Sequence, residues 1–360
     1  MKKLYFILLI VLYSCVEQPG KPEYNPNPTD LNTVVLCEGL LGMDNSSISA
    51  LTVDNSIHNN YFANSNSGLK LGDTANDILI KNDTAFVTLT GSGAIEIFQL
   101  STGKSIKRIV KSEFYPRDLA MDKAGNIYIS DLYTHKVFKL DAATLEISEY
   151  ISSDLQNPEG IAVYDNYLYV LNSGLGIFHF DEEFSGSVSI FDIATASKIK
   201  DVYIGANLQE IVIDKQNQRF YFSYYNTYEK DSVGGIVIFE DALLQNRVKH
   251  LKMNNTSLCL SNNNLYCIAQ TPPGSDEEFN SYICEIDPTA DFSRKELFAN
   301  PNSQEFFTAL NIDNNNDIWL GNAKNLQING SIEVYDNSGN LLRSFNTGVN
   351  PAKIVFLSVN

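Results

Sequence analysis

The sequence has little positive charge. Of its 360 residues, 26 are lysine or arginine and 43 are aspartate or glutamate, which gives a formal net charge of -17 at pH 7. A protein that binds nucleic acid through a basic surface needs the opposite balance. No internal segment approaches the ~18 consecutive apolar residues of a membrane-spanning helix. These absences exclude a basic nucleic-acid binder and an internal membrane span.

Residues that carry common catalytic chemistry are also scarce. The four histidines do not lie in a Gly-x-Ser-x-Gly or His-Glu-x-x-His pattern. No glycine-rich loop precedes a helical pattern, so the sequence lacks a phosphate-binding loop. We identify no catalytic residue and expect a binding protein, with the question of catalysis left open.

The sequence does contain the residues of strands and turns. It is 44% hydrophobic and holds 19 tyrosines and 20 phenylalanines, which favour strands and can fill a large core. Glycine and proline, 21 and 11 residues, favour turns between them. Little of the chain has a helical period, so we predict an all-β fold.

The N-terminus predicts export to the cell envelope. Two lysines precede an apolar run from residue 4 to 13, as in a secretory signal. Leu12-Tyr13-Ser14-Cys15 resembles a bacterial lipobox, in which the cysteine carries the lipid. We therefore predict a signal peptide over residues 1–14, lipidation at Cys15 and a flexible, proline-containing tether over 15–30. We expect the protein to be attached to the outer membrane and exposed at the cell surface. Attachment on the periplasmic side and plain secretion are the alternatives.

An approximate repeat with a mean step of about 46 residues runs through residues 31–360, within the range of a four-stranded propeller blade. Its opening is clearest at residues 115–119, 157–161, 207–211 and 350–354, and weaker copies lie at 76–78, 256–258 and 308–310.

Six copies are complete, and the seventh is split between the two ends of the chain. Residues 350–357 supply its first strand, and residues 33–36, 47–51 and 57–62 supply the other three. Pairing these segments would close the ring and cover both terminal edges. We predict one domain over residues 31–360, a seven-bladed β-propeller of four-stranded blades.

Four cysteines remain after Cys15. Cys259 and Cys267 flank a tight turn, and Cys284 falls on the following strand. A disulfide among these three and a role as small buried hydrophobic residues both remain open, as does the oligomeric state.

Propeller geometry indicates where a ligand would bind. The segments that enter the first strands and the loops between second and third strands share one face, and three of these loops are long, at 172–186, 224–234 and 271–281. Polar residues at the channel mouth and aromatic residues on the rim could form a binding site there. The candidate ligand-binding residues are Asn76, Arg117, Glu159, Gln209, Lys353, Phe178, Tyr224, Tyr225 and Phe279.

Several segments resemble a known family. They are Leu36-Cys37-Glu38-Gly39, residues 45–49, residues 71–77, Tyr115-Pro116-Arg117 and residues 157–162. Together they resemble the YncE-like propeller lipoproteins of Bacteroidetes, which include BtuG-type surface proteins that capture cobalamin beside a TonB-dependent transporter. The resemblance implies a small-molecule ligand, cobalamin among the candidates, a transporter partner, and membrane attachment through lipid only. Because the three long loops depart from the family, a glycan is equally a candidate.

Two other functions remain open. A metal-dependent lactonase would hold calcium on the propeller axis, with Glu38, Asn157 and Asn207 as candidate ligands. A scaffold that docks on an outer-membrane partner would need no small molecule. Of the three functions we prefer that of a binding protein, which needs no resident cofactor or metal. The reason is that no nucleophile has a base nearby and no ring of carboxylates repeats through the blades.

Overall fold

A computed structural model describes residues 30–175, 178–179, 181–227, 232–271 and 278–357. The predicted signal peptide, Cys15 and almost all of the predicted tether lie outside these ranges. None of the helices in the described residues is long and apolar enough to cross a membrane.

The described residues form strands, one five-residue α-helix and one short 3-10 helix, Pro288–Ala290. The strands of the first half are β1 Leu31–Cys37, β2 Ser47–Thr52, β3 Ile57–His58, β4 Ala75–Lys81, β5 Thr84–Leu89, β6 Ala94–Gln99, β7 Ser105–Val110, β8 Pro116–Met121, β9 Asn126–Asp131, β10 Lys136–Asp141, β11 Glu146–Ile151, β12 Pro158–Tyr164, β13 Tyr167–Asn172, β14 Ser187–Asp192 and β15 Lys198–Tyr203. Those of the second half are β16 Leu208–Asp214, β17 Arg219–Tyr224, β18 Gly235–Phe239, β19 Arg247–Lys252, β20 Asn255–Ser261, β21 Asn264–Gln270, β22 Ser281–Asp287, β23 Ser293–Ala299, β24 Phe307–Ile312, β25 Ile318–Asn322, β26 Asn329–Tyr335, β27 Leu341–Val349 and β28 Pro351–Phe356.

Across the described residues these strands form seven four-stranded antiparallel sheets. Blades 1 to 6 are consecutive groups of four, from β4–β7 to β24–β27, and blade 7 has the order β28-β1-β2-β3. The first strands of the blades, β4, β8, β12, β16, β20, β24 and β28, contact one another around a ring. The prediction of an all-β, seven-bladed propeller is confirmed.

The seam in blade 7 is formed by the two ends of the described chain. β1 pairs antiparallel with β28, with Thr33 opposite Phe356 and Val35 opposite Ile354. The other edge of β1 pairs with β2. Neither edge of this N-terminal strand is left open, as the split repeat predicted.

One predicted strand is wrong in part. Residues 57–62 were expected to form the outer strand of blade 7, yet β3 ends at His58 and the helix α1 follows over Tyr61–Ser65. Asn60 adopts a left-handed conformation, with φ of 53°, and begins the helix. The turn buries the side chains of Tyr61 and Phe62, and Phe62 packs edge-on against Phe98 of blade 1 at 5.6 Å. The helix thus places Tyr61 and Phe62 in the apolar cluster between blades 7 and 1.

The core consists of contacts between blades. Each of the seven apolar clusters among the described residues draws on two neighbouring blades. Adjacent residues of a second strand serve opposite neighbours: Leu168 packs towards blade 2 and Tyr169 towards blade 4. This follows from the alternation of side chains along a strand and gives every blade two apolar faces.

The four described cysteines are free and buried. Cys267 and Cys284 are cross-strand neighbours on β21 and β22. Cys259 lies on β20, and burial raises the pKa of its thiol to about 11. In this structure the cysteines therefore pack as small hydrophobic residues rather than as a disulfide.

Candidate functional site

A cavity of about 450 Å³ lies on the propeller axis. The innermost strands of all seven blades contribute to its wall, and Tyr225 joins them from the loop after β17. Its polar lining includes Asn76, Arg117, Asp118, Glu159, Gln209, Glu210, Thr256, Thr308, Asn311 and Lys353.

A β-bulge at the start of each innermost strand places residues in this wall. In every blade the pairing between first and second strands shifts register near its beginning, as between Pro116 and Leu119 or between Pro158 and Ile161. The extra residues of a bulge lose their strand partner and their side chains are redirected. Arg117, Asp118 and Glu159 occupy such positions and line the cavity.

Three blades carry a carboxyl group at the same position of the innermost strand. They are Asp77 in blade 1, Asp118 in blade 2 and Glu210 in blade 4. Each accepts a hydrogen bond from a backbone N–H of the following blade, at 3.0, 3.1 and 2.9 Å, and the donors are Leu119, Ile161 and Leu258. These acids join neighbouring blades around the axis.

Lys353 takes the corresponding position in blade 7. Its Nζ lies 3.0 Å from Oδ1 of Asp77. Burial alone would raise the pKa of Asp77, but the charge of Lys353 and hydrogen bonds outweigh it and lower this pKa. Asp77 in turn raises the pKa of Lys353. The pair is therefore an ion pair at neutral pH.

Among the described residues, Asp118 and Glu210 have no ion-pair partner of this kind. Burial, with the nearby charge of Asp77, raises the pKa of Asp118 well above its usual value. Burial also raises the pKa of Glu210, and the charge of Lys353 opposes this only in part. Asp77 and Asp118 are thus neighbouring acids whose pKa values are shifted in opposite directions, and ionisation is disfavoured at Asp118.

Arg117 and Glu159 form a second ion pair at the mouth. Nε of Arg117 donates to Oε1 of Glu159 at 2.6 Å, and the two side chains are 24% and 12% exposed. The pair joins blades 2 and 3. Because it is partly open to the cavity, a polar ligand can contact it there.

Six of the nine predicted ligand-binding residues lie in the cavity wall, and three lie elsewhere. Those in the wall are Asn76, Arg117, Glu159, Gln209, Lys353 and Tyr225. The ring of Tyr224 covers Gly205 and Gly235, and its hydroxyl is 2.8 Å from Nε2 of His250 on the outer strand β19. Phe178 is 73% exposed on a loop, and Phe279 packs on Phe306. Parts of the three long loops lie outside the described residues.

None of the three candidate calcium ligands is among the residues that line the cavity. Nδ2 of Asn157 donates to Leu132 O, and Nδ2 of Asn207 donates to Asn226 O. Both asparagines have positive φ, 47° and 59°, which turns the chain into the innermost strand.

Glu38, the remaining candidate, is held by two other amides. Its oxygens accept from Nδ2 of Asn350 at 2.6 Å and from Nδ2 of Asn76 at 3.4 Å. One carboxylate and two donating amides do not fit Ca²⁺, which takes six to eight oxygen ligands. No group of three or more His, Cys, Asp or Glu residues suited to a metal was found in the described part of the chain.

The inter-blade acids Asp77, Asp118 and Glu210 were missed at the sequence level. Their signal is positional: each precedes the apolar residue that ends a blade opening. Because the position holds Gly160, Ser257, Ala309 and Lys353 in the other blades, no single residue type marks it.

Comparisons with known proteins support the fold alone. No family model and no curated protein matches the chain. Hydrazine synthase from Kuenenia stuttgartiensis is similar in structure, with a TM-score of 0.63 and 13% identity over 79% of this chain and 95% of that chain. A quinonprotein alcohol dehydrogenase-like protein from Bacteroides thetaiotaomicron gives a TM-score of 0.62 and 13% identity over 90% and 78% of the two chains. Dihydro-heme d1 dehydrogenase NirN gives a TM-score of 0.55 and 12% identity over 94% of this chain and 77% of that chain. These neighbours place the chain among propellers and do not confirm the YncE-like or BtuG-type resemblance.

Proposed function

We propose that this protein is a non-catalytic binding protein of the cell envelope that holds a small polar ligand in its axial cavity. The observation that carries the proposal is the cavity itself, about 450 Å³ in volume and surrounded by paired charges, amides and one tyrosine. Ligand sites in proteins commonly have volumes of about 300–1,000 Å³ and a few converging polar groups.

The acids of the cavity favour binding over catalysis. Asp77, Asp118 and Glu210 accept backbone hydrogen bonds from neighbouring blades, and Glu159 is paired with Arg117. None of the described residues that line the cavity is a histidine. A hydroxyl or thiol nucleophile in the wall would therefore lack the adjacent histidine base that commonly activates one.

The cavity volume bears on the candidate ligands. A volume of about 450 Å³ suits one or two sugar units, whereas a corrinoid would lie across the mouth with only part of it inside. Both modes would bring the ligand to Arg117, Gln209 and Tyr225.

The face that surrounds the mouth also supports contact with a protein partner. Loops between second and third strands in several blades expose large apolar side chains there. These are Leu41, Met43, Tyr133, Phe178, Val233, Leu326 and Ile328. Exposed apolar surface of this kind commonly marks an interaction site. We propose an outer-membrane transporter as the partner, with the lipid on Cys15 as the membrane attachment.

The test is a calorimetric screen of cobalamin and of oligosaccharides against the purified protein, followed by Gln209→Ala. Gln209 lines the cavity, and its only described hydrogen bond is to Asn207, so its removal should leave the fold intact. We expect a loss in affinity of about 1 kcal/mol. The exposed residue Gln245, in a loop on the opposite face, gives the matched control Gln245→Ala. Equal affinity of the two variants would place the ligand outside the cavity.

The location is tested separately. Cys15 should incorporate a labelled lipid precursor, and Cys15→Ser should release the protein from membranes. Protease treatment of whole cells should degrade the protein if it faces outward. Absence of label on Cys15 would refute the lipid attachment without bearing on the cavity.

A further inference from the structure

Carboxyl groups outnumber cations around the axis. The described carboxyl groups there are Glu38, Asp77, Asp118, Glu159 and Glu210. The two cations are already paired, Arg117 with Glu159 and Lys353 with Asp77. A buried carboxylate needs a compensating charge or several hydrogen bonds. Glu38, Asp118 and Glu210 have no ion pair among the described residues, so what stabilises each of them has to be found separately.

Two of these acids are accounted for within the protein. Asp118 accepts from the backbone N–H of Ile161, and burial with the nearby charge of Asp77 raises its pKa and so disfavours its charged form. Glu38 accepts from the amides of Asn350 and Asn76. Neither group requires a ligand to stabilise it.

Glu210 is different. In the part of the chain that the structure describes, its carboxylate accepts one hydrogen bond, from the backbone N–H of Leu258 at 2.9 Å, and the side chain lines the cavity. Within the described residues it forms no ion pair with Lys, Arg or His. Lys353, the cation with the strongest influence on it, is held by Asp77. The second carboxylate oxygen has no hydrogen-bond donor among the described residues, so a group inside the cavity could bind it.

The surroundings of Glu210 suit a positively charged group. Tyr225 lines the same cavity close enough to interact electrostatically with Glu210, and an aromatic ring attracts a cation over its face. Thr256, two residues before Leu258, also lines the cavity, and its buried hydroxyl finds no hydrogen-bond partner among the described residues. A carboxylate, an aromatic ring and a hydroxyl oxygen can together accept the three N–H groups of an ammonium ion.

We propose that the ligand of the axial cavity carries a protonated primary amine, which binds as the counter-ion of Glu210. The proposal rests on the proposed function, since it names the chemical class of ligand for the same cavity. An amino sugar fits both the volume and the charge; a neutral sugar of the same shape lacks the group that Glu210 requires.

The experiment compares glucosamine, N-acetylglucosamine and glucose in calorimetric titrations of the full chain at pH 7, with butylamine as an amine without a sugar. We expect glucosamine to bind and the two neutral sugars to bind at least about tenfold more weakly. Glu210→Gln should reduce glucosamine affinity by about tenfold or more, because the amide still accepts from Leu258 but carries no charge. Glu296→Gln, on the exposed outer strand β23, is the matched control and should leave affinity unchanged.

The outcomes separate the two proposals. Binding of a neutral ligand that Gln209→Ala weakens, with glucosamine no better than glucose, would overturn the amine proposal and leave the binding function standing. Glucosamine binding unaffected by Glu210→Gln, in a variant with the melting temperature of the wild type, would also overturn it. If Ca²⁺ alone competed with glucosamine at equal affinity, Glu210 would be a general cation site and the amine specificity would be refuted. No binding of any amine, sugar or corrinoid would overturn both proposals.

Discussion

Lys353→Met tests the charge pairing around the axis. The substitution keeps the apolar stem but removes the cation that lies 3.0 Å from Asp77. Removing one partner of a fully buried ion pair costs about 3–5 kcal/mol. Because the side chain of Lys353 is 44% exposed, solvent screening reduces this figure, and we expect a loss of about 2 kcal/mol in the free energy of unfolding at pH 7.5.

The effect should depend on pH with a defined sign. The pKa of Asp77 is lowered in the folded state, so its contribution to stability is present above its unfolded pKa and is lost as pH falls through the folded pKa. The pKa of Lys353 is raised, so its contribution is complete below its unfolded pKa and is lost only in strong alkali. The difference between wild type and Lys353→Met should therefore be largest from about pH 5 to 10 and should decrease as the pH falls below about 4.

Urea unfolding of the wild type and of Lys353→Met at pH 7.5 and pH 3 measures the loss in unfolding free energy at each pH. Lys295→Met, on an exposed outer strand, is the matched control and should change stability by less than about 0.5 kcal/mol. Equal destabilisation by Lys353→Met at the two pH values would show that lost packing, rather than lost charge, is responsible. No destabilisation at pH 7.5 would refute the ion pair.

Four further predictions concern stability, burial and metal binding. Asp118→Asn should be neutral in acid and should raise the unfolding free energy by on the order of 1 kcal/mol at pH 8, because the wild-type carboxyl has a raised pKa that penalises ionisation; unchanged stability at pH 8 would contradict this. Ile354→Ala on β28 should cost about 3 kcal/mol, since this buried side chain packs at the seam, and a loss under 1 kcal/mol would be inconsistent with ring closure there. The four buried thiols should react with a thiol reagent only after unfolding in guanidinium, and prompt reaction of Cys267 in the folded protein would contradict its burial. Neither Ca²⁺ nor a chelator should shift the melting temperature, because two amides already satisfy Glu38, and a rise with Ca²⁺ would restore the calcium alternative.

The architecture could be predicted from the sequence because its signals are local and repeated. Openings such as residues 157–161 combine a turn residue with the start of a strand, and second strands such as Tyr167–Asn172 alternate in a way that only two packed faces explain. The seam could be predicted from the number of strands in each repeat. The C-terminal segment supplies only a first strand, so three N-terminal strands were needed to complete its blade. The helix at Tyr61–Ser65 was missed because Tyr61 and Phe62 pack between blades 7 and 1, a contact that the local sequence pattern does not show.

The cavity wall was harder to predict than the blades. A bulge changes the direction of side chains without any change in residue type, so residue type alone does not distinguish Asp77 and Glu210 from other strand acids. Tyr224 and Tyr225 are neighbours with the same chemistry, and only the end of β17 determines that the second lines the cavity. The positions of Phe178 and Phe279 depend on loop conformations that no repeat constrains.

The seam also sets an order for folding. Glu38 and Asn350, which meet at the closure, are 312 residues apart in the chain, so this contact carries a large loop-closure cost and forms late. Until β28 docks, β1 presents an unpaired edge and Asp77 has no cation, because Lys353 lies on the last strand to be synthesised. The axial cavity is therefore complete only when the whole ring is, and recovery of ligand binding during refolding should lag behind recovery of the strand signal in circular dichroism.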